Sequence, residues 1–91
     1  MRLEFRPQAD ADIDGIIAYY RAVAPDALPN IAADIERSLG LIREFPSIYP
    51  QQPGRTFRRH VSRKYHFKIV YEVERDRVVV LGVFRFQNRD A

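Results

Sequence analysis

Apolar and polar positions along this chain switch period twice, and the switches outline its elements. Leu3 and Phe5 alternate with Arg2, Glu4 and Arg6, a period of two that predicts a short, half-buried strand. Pro7 then suits the first position of a helix, where its missing N–H costs nothing. From there Ala9, Ile13, Ile16, Ile17 and Tyr20 recur at spacings of three and four and make one apolar stripe. Asp10, Asp12 and Asp14 fall in its first turns, where the helix dipole favours negative charge. Ala24-Pro25-Asp26 interrupts the pattern. A second stripe follows, Leu28, Ile31, Ile35, Leu39, Ile42 and Phe45, with Pro29 in or near its first turn and Phe45-Pro46 at its end. Two amphipathic helices joined by so short a break predict an antiparallel hairpin.

Pro46, Pro50, Pro53 and Gly54 mark residues 46–54 as a loop, since proline cannot donate to a sheet ladder. Beyond it the period returns to two. Phe57 and Val61 bracket one short strand. Tyr65, Phe67, Ile69, Tyr71 and Val73 then alternate with His66, Lys68, Val70 and Glu72. Glu74-Arg75-Asp76-Arg77 reads as a hairpin turn without a glycine. Val78 to Phe86 is almost continuously apolar, as a central strand should be, and residues 87–91 are expected to fray. The predicted order is β-α-α-β-β-β, an α+β fold with the helical hairpin packed on one face of a small, mainly antiparallel sheet. The aromatic face from Tyr65 to Val73 meets the helices, and His66 and Lys68 look outward from the other face. Residues 1–91 are read as a single domain.

Composition narrows the chemistry. Cysteine is absent, which excludes disulfides, thiolate catalysis and thiolate-ligated zinc, and the two histidines form no metal-ligand pattern. Four glycines offer no phosphate-cradling loop, and Ser38, Ser47 and Ser62 sit in no nucleophile turn. No cofactor or metal is expected. No apolar run approaches the roughly 20 residues of a membrane span, and Met1 to Arg6 lacks a secretion signal, so a cytoplasmic protein with no membrane contact is expected. The formal net charge of +3 conceals an asymmetry. Arg55, Arg58, Arg59, Arg63, Lys64, Lys68, Arg75, Arg77, Arg85 and Arg89 crowd the second half, while most acidic residues precede Pro46. Such a half suits an anionic partner, nucleic acid or an acidic protein segment, and a merely solvated basic surface would look the same.

The element order, Tyr19-Tyr20 in the first stripe, the helix end Glu44-Phe45-Pro46 and the Arg58-Arg59 strand together resemble the RelE/ParE toxins of type II toxin–antitoxin systems. Most telling is Tyr65-His66-Phe67-Lys68-Ile69-Val70-Tyr71-Glu72-Val73 followed by Val78-Val79-Val80-Leu81-Gly82-Val83-Phe84-Arg85, which is similar to the family's last two strands. The closing Asn88-Arg89-Asp90 is similar to its polar ending. The resemblance implies a toxin that arrests growth and is neutralised in a hetero-oligomer by a cognate acidic antitoxin, whose disordered tail folds on the toxin's helices and sheet edge.

Two mechanisms come with that resemblance. RelE-like members cleave mRNA in the ribosomal A site, and there Lys68, Arg85 and His66 (or His60) would supply the cations and the acid/base group. Against this, no Lys-rich stretch precedes the sheet, and no Tyr follows Arg85. Lys68 also lacks the planar fork of an arginine. ParE-like members are associated with inhibition of DNA gyrase and need only a binding surface, for which Arg58, Arg59, Arg85 and Arg89 are the contact candidates. The chain is read as closer to ParE, more a protein-binding inhibitor than a nuclease. Tyr65 and Tyr71 are assigned to the core. A nucleic-acid-binding α+β domain of another kind would lack the antitoxin; the chain has no glycine–aromatic RNA-binding motif to support it.

Overall fold

The computed structural model describes residues 1–85. Strand β1 (Arg2–Phe5) leads into helix α1 (Pro7–Val23), a single 3-10 turn (Pro25–Ala27) and helix α2 (Leu28–Glu44). Strands β2 (Arg58–Val61), β3 (Lys68–Val73) and β4 (Arg77–Phe84) follow. The expected order therefore holds. Both helices open on a proline in the first turn and carry a basic residue, Arg21 or Arg43, in the last. Each also ends with one more backbone bond, from Ala24 N–H to the Tyr20 carbonyl and from Phe45 N–H to the Leu41 carbonyl. Phe45 itself is 45% exposed, so the second stripe stops at Ile42.

The sheet runs β1-β4-β3-β2, with β1 parallel to β4 and the other two pairs antiparallel. Placing β4 inside explains its unbroken apolar run, because it is paired on both sides. Its pairing with β3 steps from Val70↔Gly82 to Tyr71↔Val80, leaving Leu81 as an extra residue. That bulge keeps Val78, Val80 and Val83 on the face that also carries Tyr71 and Ile69. With Ala9, Ile16, Ile31, Ile35, Ile42 and Phe67 they form the core. A Cβ at Gly82 would stand 2.8 Å from the Phe84 ring, so a larger residue there must displace that ring.

Three details depart from the alternation read along the chain. In β2 it is His60, opposite Ile69 and packed against the Tyr49 ring, that is buried, while Val61 is 48% exposed. Regular β3 begins only at Lys68, and His66 belongs to the preceding turn with φ of 61°. Lys68 does stand on the outer face, in register with Val61 and Phe84, yet it is 8% exposed rather than open to solvent. The expected fraying of 87–91, and the candidate Arg89, lie outside the described residues.

Candidate functional site

The basic half of the chain separates by what each side chain touches. Arg58 faces inward, opposite Tyr71, and donates through Nη1 to the carbonyls of Tyr49 at 2.7 Å and Ser47 at 3.3 Å. It pins the proline-rich loop onto β2. Arg77 is held by Glu74 at 2.9 Å and Glu4 at 3.2 Å, tying β1 to the β3–β4 turn. Arg85 lays its guanidinium over the Tyr19 ring, 4.0 Å from the centroid. Arg55, Arg59, Arg63, Lys64 and Arg75 are exposed. Adjacent Arg58 and Arg59 thus have opposite roles, as strand geometry requires of neighbours.

Arg85 closes one end of a cleft of about 330 Å³ between α1 and the end of β4, lined by Asp12, Gly15, Tyr19, Val83 and Phe84 among others. Its origin lies in unequal strand lengths. Strand β1 stops at Phe5, opposite Val80, so the last part of β4 has no strand on that side. There Asp12 of α1 accepts the Val83 N–H at 3.0 Å, and Gln8 holds its other oxygen at 2.9 Å. A carboxylate read as a helix-dipole residue therefore also serves the sheet.

The second feature is apolar. Ile13 and Ile17 of α1 face Leu28, Ile31, Ala32, Ile35 and Leu39 of α2 across a groove of about 180 Å³, with Glu36 at its rim. Ile17 and Leu28 are only half-buried. The stripes are wider than the sheet contact needs, and the surplus forms this seam on the hairpin.

Between helix and sheet lies a buried polar cluster that the apolar pattern had hidden. Asp34, 1% exposed, stands on the α2 stripe between Ile31 and Ile35. It accepts from Ser62 Oγ at 2.6 Å, from the backbone N–H of Tyr65 at 2.8 Å and of Lys64 at 3.1 Å, and from Arg37 Nη2 at 2.6 Å. Ser62 Oγ in turn accepts the Phe67 N–H at 2.8 Å. Burial pushes the Asp34 carboxyl up, but the Ser62, Tyr65 and Lys64 hydrogen bonds and the Arg37 charge outweigh it, and the net shift is downward. The signal was present: positions 31, 34, 35, 38 and 42 share one helical face, and two of them, Asp34 and Ser38, are polar and buried.

Of the acid/base candidates, His60 packs edge-on to Tyr49, 4.3 Å between ring centroids, with Nε2 buried and unpartnered. Burial lowers its pKa and the Asp34 charge opposes this, so the net shift favours the neutral imidazole. His66 lies in the β2–β3 turn. Lys68 starts β3 on the outer face, and Arg85 is drawn to Tyr19 across the end of β4. Tyr71 is fully buried, and its hydroxyl donates to the Pro46 carbonyl at 2.8 Å, as a core tyrosine should. Among the described residues no group of histidines and carboxylates is arranged to hold a metal, and no helix is long and apolar enough to cross a membrane.

Comparison with known proteins agrees with this architecture. Residues 3–89 match the family model described as ParE toxin of the type II toxin–antitoxin system parDE. A solved structure titled as the chromosomal ParDE toxin–antitoxin system from P. aeruginosa superposes with a TM-score of 0.78 at 19% identity, covering 93% of this chain and 95% of that one. At that identity the likeness is one of fold. No curated protein sequence matches the chain.

Proposed function

The chain belongs to the family of ParE toxins of type II toxin–antitoxin systems, and from that premise we propose that it poisons DNA gyrase by binding it. The RelE-like alternative, ribosome-dependent cleavage of mRNA, needs cations and an acid/base group around one accessible point. The observation that carries our reading is that neither candidate cation stands open to a scissile phosphate. Lys68 is 8% exposed on the outer sheet face, and the Arg85 guanidinium is stacked on Tyr19. A binding inhibitor needs no such access. Arg59, exposed on strand β2, and Arg85 at the cleft are its proposed contacts. Arg58 contributes by holding the loop beside that strand.

The same premise supplies the partner. A cognate antitoxin offers an acidic segment, whose apolar anchors suit the Ile17–Leu28–Leu39 seam and whose charge suits the basic half of the chain. The deciding experiment induces the chain in a bacterial host with and without the neighbouring reading frame, then assays purified protein on gyrase. Loss of gyrase supercoiling, relieved by the neighbouring product, is expected. Intact supercoiling with mRNA cut on ribosomes would replace this reading by the RelE-like one.

A further inference from the structure

Three cations from opposite halves of the chain meet at one shallow cleft. Arg37 of α2 and Arg63 and Lys64 of the β2–β3 turn line about 440 Å³ of open space. Asp34 is the reason they meet. Its carboxylate binds Arg37 Nη2 at 2.6 Å and, on the other side, the Lys64 and Tyr65 backbone N–H groups. One buried anion thus fixes both the helix cation and the course of the turn that carries the other two.

The charge does not cancel. Three cations against one carboxylate leave a surplus of positive charge, and Asp34, almost wholly buried, lies beneath the cleft rather than in it. Arg37 is 47% exposed although it is paired, so its remaining N–H donors face solvent. A guanidinium pair with an ammonium matches the tetrahedral oxygens of a phosphate, the forks binding bidentately and Lys64 acting as a point charge. Because Arg37 and the backbone of the turn are already positioned, only the Arg63 and Lys64 side chains remain to be ordered when an anion arrives.

We propose that this cleft binds the phosphodiester backbone of duplex nucleic acid. An acidic protein segment would need apolar anchor sites, and among the described residues no apolar side chain lines this cleft; the apolar seam lies elsewhere, between the helices. A single strand would need exposed aromatic platforms for its bases. The neighbouring aromatic, Tyr65, is half-buried, with the Lys64 ammonium 5.8 Å from its ring centroid. Backbone contacts of this kind carry no sequence preference.

The test measures binding of the full-length protein to a fluorescent duplex DNA across a salt series. The variant Arg63→Gln/Lys64→Gln is expected to weaken binding about tenfold and to reduce the slope of log affinity against log salt by about 2, one for each lost contact. The charge-matched variant Arg2→Gln/Arg75→Gln acts at the other end of β3, where Arg2 lies 3.8 Å from Asp76, and is expected to keep the slope. Unchanged melting temperatures verify that both variants fold. The inference fails if the wild type ignores the duplex, if both variants lose slope equally, or if single-stranded DNA or poly-glutamate binds more tightly than the duplex. A protein that blocks gyrase but ignores naked duplex overturns this inference alone, and one that binds duplex but spares gyrase overturns only the proposed target.

Discussion

Asp34 and Ser62, 28 residues apart in the chain, stand 2.6 Å apart in a buried hydrogen bond that joins the helical layer to the sheet. Around it the turn from Ser62 to Phe67 closes on itself, with Ser62 N–H bonded to the Phe67 carbonyl at 2.8 Å and His66 N–H to the Ser62 carbonyl at 3.1 Å. Removing the carboxylate strands the Ser62 hydroxyl, two backbone donors and Arg37 at once. Asp34→Ala is expected to cost about 3 kcal/mol and Ser62→Ala about 1–2 kcal/mol. In urea denaturation the double variant should lose clearly less than the sum, because the two act through one network.

Acid should reveal the same carboxylate. Its folded pKa is lowered, so its contribution is complete above the ordinary value of 3.8 and is lost as pH falls through the folded value. Asp34→Asn should remove that part of the acid transition, read from midpoints of urea melts between pH 5 and pH 2.

His60 acts at milder pH. Its folded pKa lies below 6.5, so the unfolded chain takes up the proton first and stability falls as pH drops below 6.5. The groups identified around it are the Tyr49 ring and the Asp34 charge, of which only Asp34 opposes the effect. His60→Phe, which buries no unpartnered nitrogen, is expected to flatten the change in melting temperature between pH 7 and pH 5. An equally steep profile would refute the assignment.

At the alkaline end Tyr71 governs. Burial pushes its hydroxyl up to about 12, with Arg58 opposing and Tyr49 adding to the effect. The folded state therefore resists ionisation that the unfolded chain undergoes near 10, and stability is lost as pH rises from there through about 12. Tyr71→Phe should abolish that loss. At neutral pH it should cost about 1 kcal/mol for the bond to the Pro46 carbonyl.

Toxicity separates the two mechanisms. Lys68→Met with His66→Gln should leave growth arrest intact if the protein works by binding, and should abolish it if it cleaves RNA. Colony counts after induction, with circular dichroism to verify folding, give the answer. Arg85→Ala, which frees the Tyr19 ring, is expected to weaken arrest because it opens the proposed contact.

Ile17→Glu/Leu39→Glu tests the antitoxin seam. Two charges placed in the apolar groove should weaken binding of the acidic partner by at least about tenfold. Calorimetry of the purified pair would measure it, and unchanged affinity would move the antitoxin off the hairpin.

The elements and their order were legible because each has its own period. Spacings of three and four from Ala9 to Ile42, and of two from Phe67 to Val73, follow from the backbone geometry of single segments. The unbroken apolar run from Val78 likewise announced a strand paired on both sides. The candidate site was far less legible. Arg58 and Arg59 look alike in a list of residues, yet one binds loop carbonyls and the other meets solvent. Asp10, Asp12 and Asp14 looked like equivalent helix-dipole residues until β4 outran β1 and left the Val83 N–H to Asp12.

Alone, the order of residues determined the α+β class, the helical hairpin, the strand positions and the family likeness, all properties of local period and composition. Tertiary structure decided the phase of β2, the burial of Lys68 and His60, the Leu81 bulge, and the use of Asp34 as the link between layers. The reason is physical. Period records which side of its own segment a residue occupies, whereas burial, hydrogen bonding and pKa depend on what another segment, dozens of residues away, brings to that side.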